Sequence, residues 1–209
     1  MSRAIITIVS LVLLTVSKTG NCQAKKISPV TAKKMSPPIT KKAIHSQPAI
    51  AVIEFLKWYR AESNDISKIG LVNYPEGGVD SLGNVTDSSK FYTVDFNGAG
   101  DYLLRLASSG FLSENYIAGQ RAYFKNADKA FHQFHAYDGP PEGFDADLVM
   151  LSQDYDLADV EKARSSTKMK TPSSATVRLV FGYNQLVLLY NLSLQDDQWK
   201  IDEIKNVSR

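Results

Sequence analysis

This sequence predicts an α+β fold, with N-terminal helices packed in a strongly curved antiparallel sheet. Three observations predict it. Apolar residues recur at helical spacing in the first part of the domain and at alternate positions in the last part. The late β-rich segments are joined by Gly182-Tyr183-Asn184 and Asp196-Asp197-Gln198. Connections this short link antiparallel strands, because a parallel pair needs a long crossover. Finally, Leu186, Leu188, Tyr190, Leu192 and Leu194 alternate with Val187, Leu189, Asn191, Ser193 and Gln195. One face of that strand is apolar throughout and the other turns polar toward its far end, as in a sheet with helices on one side only.

Residues 1–24 read as a secretory signal. Arg3 supplies a positive start, and Ala4 to Val16 is a thirteen-residue uncharged run. That is short of the roughly 20 apolar residues of a membrane span and suits a signal core. Cys22 and Ala24 are small residues at the −3 and −1 positions of a cut before Lys25. The alternative is a lipoprotein signal acylated at Cys22, although Asn21 is a poor fit directly before such a cysteine. Either way the protein is expected to be exported, to the periplasm or beyond. The single cysteine excludes an internal disulfide framework and a cysteine-based zinc site.

Residues 25–47 read as a disordered linker. Three Lys-Lys pairs occur at 25–26, 33–34 and 41–42, with prolines and no acid. Such a composition builds no core. All 22 Asp and Glu lie after residue 48, against 16 Lys and Arg there. An acidic domain therefore hangs on a basic tether, which suits a solubilising linker or weak contact with an anionic envelope or membrane surface. Export and the acidic domain argue against nucleic acid as a partner.

The α+β domain occupies residues 48–209. Pro48 opens a helix over about 48–62, with Val52, Phe55, Leu56 and Tyr59 on one face. Asn64 to Ser89 is rich in Gly, Ser, Asn and Asp and reads as loop. A short extended piece at 91–94 precedes a helix over Gly98 to Ser109, stopped by Gly110. Ser113 caps a long helix over about 114–135, whose apolar set includes Tyr116, Ile117, Ala122, Phe124, Ala130, Phe131 and Phe134. Asp138-Gly139-Pro140-Pro141 breaks the helical part. Asp147 to Gln153 is strand-like, Asp156 to Lys162 is a short helical turn, and Ala163 to Lys170 is a weaker strand. Thr176 to Phe181, Leu186 to Leu194 and Trp199 to Val207 are strong strands, rich in β-branched and aromatic residues.

Several residues are candidates for chemistry. Asp145 and Asp147 stand two apart, so on a strand both carboxylates face one way, with Gln153 beside them if no bulge intervenes. Such a pair can contact a ligand, act as acid and base, or remain solvated. Asp154-x-Asp156-x-x-Asp159 lacks the glycine and spacing of a calcium loop. His132 and His135 have metal-compatible helical spacing but no third fixed ligand, so two helix-terminal imidazoles are expected. Trp58, Tyr59, Tyr190 and Trp199 suit a core or the wall of a hollow. No phosphate loop, nucleophile elbow or zinc-protease motif occurs, and no cofactor or metal is expected.

The order of elements, closing on Trp199-Lys200-Ile201-Asp202-Glu203-Ile204, resembles the nuclear transport factor 2-like superfamily. That resemblance implies a cone, a bent sheet around helices with a pocket at its open end. Phe55-Leu56-Lys57-Trp58-Tyr59 and the stretch Phe144 to Asp154 are similar to a bacterial exported family, domain-of-unknown-function family 3828. Leu148 stands where that family usually has proline. The family implies no activity. The expected function is a non-catalytic exported module that binds a small ligand or protein partner in the pocket or on the sheet face, through Tyr59, Asp145, Asp147 and Gln153. The superfamily resemblance also implies an alternative, a ketosteroid-isomerase or dehydratase-like enzyme with Asp147 as base and Tyr59 as hydrogen-bond donor. A third reading is an inhibitor or immunity-type partner of a secreted enzyme, marked by a wide exposed apolar patch. An open sheet also suits a homodimer.

Overall fold

The computed structural model describes residues 47–137, 141–182 and 185–208. All fall in Ile39–Arg209, one of the two units into which the chain divides. The expected signal and linker lie outside the described residues except for Gln47, as do Asp138, Gly139 and Pro140 of the expected break and Tyr183-Asn184 of one expected hairpin connection.

The fold is α+β. Helix α1 runs Pro48–Ile66, with proline in its first turn. Its buried stripe is Val52, Phe55, Leu56 and Tyr59, and it continues a turn beyond the expected end because Ile66 is buried too. Helix α2, Phe96–Ser108, starts two residues before Gly98 because the Asp95 carboxylate accepts the N–H groups of Asn97 and Gly98 at 2.9 and 3.1 Å. Gly110 ends it at a φ of 71°, a left-handed position that favours glycine. Helix α3, Glu114–Gln133, is capped by Ser113, whose Oγ accepts from Tyr116 N at 3.2 Å. Tyr116, Ile117, Phe124 and Phe131 are its buried side chains. Ala122, Ala130 and Phe134 of the expected apolar set are exposed instead. The first two project off the buried stripe, and Phe134 follows the end of the helix.

Strands β1 (Val72–Asn73) and β2 (Thr93–Val94) pair as an antiparallel ribbon. The carboxylate of Asp128 on α3 holds that ribbon by accepting from Val94 N at 3.1 Å. A four-stranded antiparallel sheet follows in chain order: β3 Arg164–Thr171, β4 Ser174–Val180, β5 Val187–Gln195 and β6 Gln198–Asn206. Asp196 and Asp197, at φ values of 50° and 61°, make the tight β5–β6 turn. Helices α1 and α3 pack on the sheet. Ala175, Val177, Leu179, Leu188, Tyr190, Leu192 and Ile201 face them in one hydrophobic core. Burial of a Phe, Leu or Ile of this kind contributes about 1.5–3 kcal/mol. Tyr59, Tyr190 and Trp199 belong to that core and Trp58 packs against it.

The expected strand over Asp147 to Gln153 is not a strand. It is a tight turn closed by a bridge between Asp147 and Ser152. Val149 and Met150 are consecutive and both fully buried, which alternating strand geometry does not allow on a one-sided sheet. A short 3-10 helix, Leu157–Lys162, follows where a helical turn is expected, capped by Asp156. No helix among the described residues is long and apolar enough to cross a membrane.

Candidate functional site

The turn at 147–152 is built by one carboxylate. Asp147 Oδ1 accepts from Val149 N at 2.8 Å and from Met150 N at 2.7 Å. These bonds draw the backbone out of any strand path, the usual effect of an aspartate bonding to amides two and three residues on. Leu151 N donates to Asp147 O at 2.7 Å, and Leu151 takes the left-handed region at φ 51°. Asn206, at the end of β6, donates from Nδ2 to Leu151 O at 2.8 Å.

The other oxygen faces two tyrosines. Tyr59, from α1, donates to Asp147 Oδ2 at 2.6 Å, and Tyr155 donates to the same atom at 2.8 Å. An ionised carboxylate offers about four lone-pair sites, and all are taken here. Burial and then the Asp147 charge push the Tyr59 hydroxyl well above the usual tyrosine range. Tyr155 is raised by the same two causes in the same order. Both phenols therefore stay protonated as donors, and Asp147 acts as a staple between α1 and the turn.

Asp145 and Gln153 are exposed, and Gln153 Nε2 donates to Asp145 Oδ2 at 3.1 Å. The strand expected to align Asp145 with Asp147 is absent, yet both line one surface pocket of about 260 Å³. Its walls are Leu148, Leu151, Ala146 and Tyr123, with Gln120 and Asp145 as polar members. All four sequence-derived residues thus fall in two hydrogen-bonded pairs at one place. Tyr59 is buried behind the pocket and does not line it.

A second depression of about 510 Å³ adjoins the first along α3. Phe131, Phe134, Ala127 and Ala130 line it, and Glu142 stands at its edge. Tyr123 and Gly143 belong to both depressions, and Tyr123 donates to Gly143 O at 2.5 Å between them. Gly143 sits at φ 88°, and a Cβ there would collide with the Tyr123 hydroxyl. Burial, Asp145 and Glu142 together raise the Tyr123 hydroxyl. A larger open depression of about 610 Å³ lies beside α2, but Arg105 in its wall already pairs with Glu62 and lies 3.9 Å from Asp65.

Among the described residues, four buried oxygens, Tyr102 Oη, Tyr116 Oη, Tyr190 Oη and Gln120 Oε1, have no hydrogen-bond partner. Burial is the main cause that raises all three phenols. Gln120 pulls Tyr116 back down, yet neither the Tyr116 hydroxyl nor Gln120 Oε1 reaches hydrogen-bond geometry.

Sequence reasoning missed Gln120, Tyr123 and Tyr155. Gln120 lies one helical turn after the buried Tyr116, the only signal the sequence offers for it. The histidines do not converge on a shared centre. His135 stacks on Phe91 at 3.9 Å between ring centres, and His132 meets the same ring edge-on at 5.2 Å. Among the described residues no three His, Cys, Asp or Glu side chains form a metal-binding group.

No family model matches this chain, and no curated protein matches it significantly. Among solved structures, it is similar to one chain of the type VI native effector-immunity complex Tae3-Tai3 from Ralstonia pickettii. The identity is 18% and the TM-score 0.40, over 78% of this chain and 96% of that one. A superposition of that quality assigns neither a fold family nor a partner.

Proposed function

We propose that the protein is an exported, non-catalytic module that binds a small ligand or a protein partner at the pocket beside Asp145. The observation that carries this reading is the saturation of Asp147. A general base needs a free lone pair aimed at a substrate proton, and all four sites on this carboxylate are filled from within. The isomerase-like alternative also needs Tyr59 to donate to a substrate oxyanion, and that proton is spent on Asp147. The pocket keeps apolar walls and one exposed carboxylate, Asp145. This combination suits an occupant that brings a hydrogen-bond donor on an apolar stem, such as a lysine or arginine side chain.

The nuclear transport factor 2-like arrangement, with the sheet curling around the helices as a cone, is part of this reading. So are the signal at 1–24, the alternative lipid anchor at Cys22, the Lys-rich linker with its weak envelope contact, and a possible homodimer. The order of elements and the one-sided apolar sheet support the first of these.

The test is an NMR titration with N-acetyl-lysine methylamide. Amide shifts at Tyr123, Ala146, Leu148 and Leu151 are expected, weakened in Asp145→Asn. Shifts that are absent or scattered over the domain overturn the pocket reading. Exchange of the α-protons of a ketone probe in heavy water, catalysed by the protein and lost in Asp147→Asn, would restore the enzyme.

A further inference from the structure

The four-stranded sheet has two unlike edges. Edge strand β6 is covered by the segment before α3. Ile201 N donates to Phe111 O at 2.8 Å, and Ser113 N donates to Ile201 O at 2.9 Å. Edge strand β3 carries no such cover among the described residues, and all eight of its residues are exposed. Its sequence, Arg-Ser-Ser-Thr-Lys-Met-Lys-Thr, gives it little apolar surface to bury. A strand whose residues are all exposed presents its backbone groups and its charges together.

Those charges share a face. Directly opposed residues lie on one side of a sheet, and the register pairs Arg164 with Val180, Ser166 with Arg178 and Lys168 with Thr176. These positions alternate with the buried Val177 and Leu179, so Arg164, Lys168 and Arg178 all face away from the helices. Past an irregularity between Met169 and Thr171, Lys170 reaches the same side and donates to Asn191 Oδ1 at 3.0 Å. Two acids neighbour that face. Glu203 pairs with Lys205 at 2.9 Å, accepts from Asn191 Nδ2 at 2.8 Å and feels the Lys170 charge, so Lys170 is partly balanced, while Asp202 accepts from Ser193 Oγ at 3.0 Å. Arg164, Lys168 and Arg178 make no ion pair among the described residues. This cationic edge stands on a domain with an excess of acids.

We propose that β3 is a docking strand for an acidic extended segment of a protein partner, which adds as a fifth strand. Side chains on one face of a strand recur about every 7 Å, so Arg164 and Lys168, two repeats apart with Ser166 between them, meet carboxylates of the incoming segment that lie on one face. Arg178 on β4 widens the same cationic strip. A second copy of the chain is the wrong occupant of this edge, because symmetric pairing sets the cations of one β3 against those of the other, so a homodimer would have to use another surface. This inference is independent of the pocket beside Asp145.

The probe is a capped ten-residue peptide of alternating Glu and Thr, followed by fluorescence anisotropy and by amide shifts of β3. Binding is expected, with amide shifts confined to β3 and β4. Lys for Glu in the peptide should abolish it. Lys168→Glu with Arg178→Glu should weaken the acidic peptide about tenfold or more, because one cross-strand attraction turns into a repulsion and the cation one strand further in is reversed as well. The two exposed substitutions touch no core position, and circular dichroism checks the fold. N–H groups of successive residues point to opposite edges, so N-methylating every Thr blocks one edge and every Glu the other. One of the two methylated peptides should fail and the other should bind. Equal binding of both means charge attraction without strand addition, and overturns the proposal. So does failure of the unmodified peptide, which leaves the lysines as guards against pairing, and so does a concentration-dependent dimer abolished by the β3 substitutions.

Discussion

Replacing Asp147 by asparagine tests the staple directly. The substitution keeps the shape of the side chain but leaves one acceptor oxygen where two now serve four donors. Whichever way the amide turns, its NH2 group confronts two of those donors. If it faces the tyrosines, Tyr155 is half-exposed and finds water, whereas Tyr59 is 3% exposed and does not. If it faces the turn, the amides of the buried Val149 and Met150 lose their acceptor. Each stranded buried donor costs about 1–3 kcal/mol, and the amide adopts the orientation that strands only Tyr59, so a loss of about 1–3 kcal/mol is expected. Tyr59→Phe removes a donor and leaves the carboxylate three others, so it should cost less, about 1–2 kcal/mol. The two changes share a bond, so the double variant should fall short of additivity by at least about 0.5 kcal/mol. Urea unfolding followed by circular dichroism measures all three. An Asp147→Asn variant as stable as the wild type, or more so, would refute the staple. It would place this carboxylate among strained functional groups whose removal relieves a fold.

Other expectations follow from the same structure. The phenols of Tyr59, Tyr102, Tyr116 and Tyr190 are all raised by burial. The unfolded chain releases those protons near pH 10 while the folded one keeps them, so stability is intact below pH 10 and falls as pH rises above it. Each such tyrosine contributes about 1.4 kcal/mol of loss per pH unit there, and tyrosinate absorbance at 295 nm should appear together with loss of helical signal. Titration of these groups without unfolding would contradict the burial. Gly98→Ala should destabilise by about 1–3 kcal/mol, since a Cβ on α2 would strike the Gly70 carbonyl, and thermal melts check it. Gly143→Ala meets both a left-handed backbone and the Tyr123 hydroxyl, and should broaden the amide signals around the pocket. Arg60→Ala removes a two-pronged pair with Glu161 at 2.9 and 3.0 Å, but both partners are exposed and screened by solvent, so the urea midpoint should hardly move.

The fold was legible where periodicity and caps agreed. Ser113 and Gly110 mark helix ends by residue type alone, and the alternation of Leu188, Tyr190 and Leu192 shows which face of β5 is buried. Asp147 to Gln153 misled because Leu-Val-Met is apolar whether it forms a strand or a buried turn. The deciding feature is a side-chain bond from Asp147 to amides two and three residues later. The candidate site was legible in its carboxylates and in Tyr59, but Tyr155 joins them through chain folding that no spacing encodes. Gln120 and Tyr123 reach the pocket from α3, and helical periodicity cannot say which half-exposed residues a distant turn will approach.

The single amide of Asn206 on the carbonyl of Leu151 has a mechanical consequence. A wall of the pocket is moored to the ladder of β5 and β6, so anything that pushes Leu151 outward must also strain a hydrogen-bonded sheet. The cavity is therefore a stiff mould. Slow amide exchange is expected at Leu151 even with nothing bound.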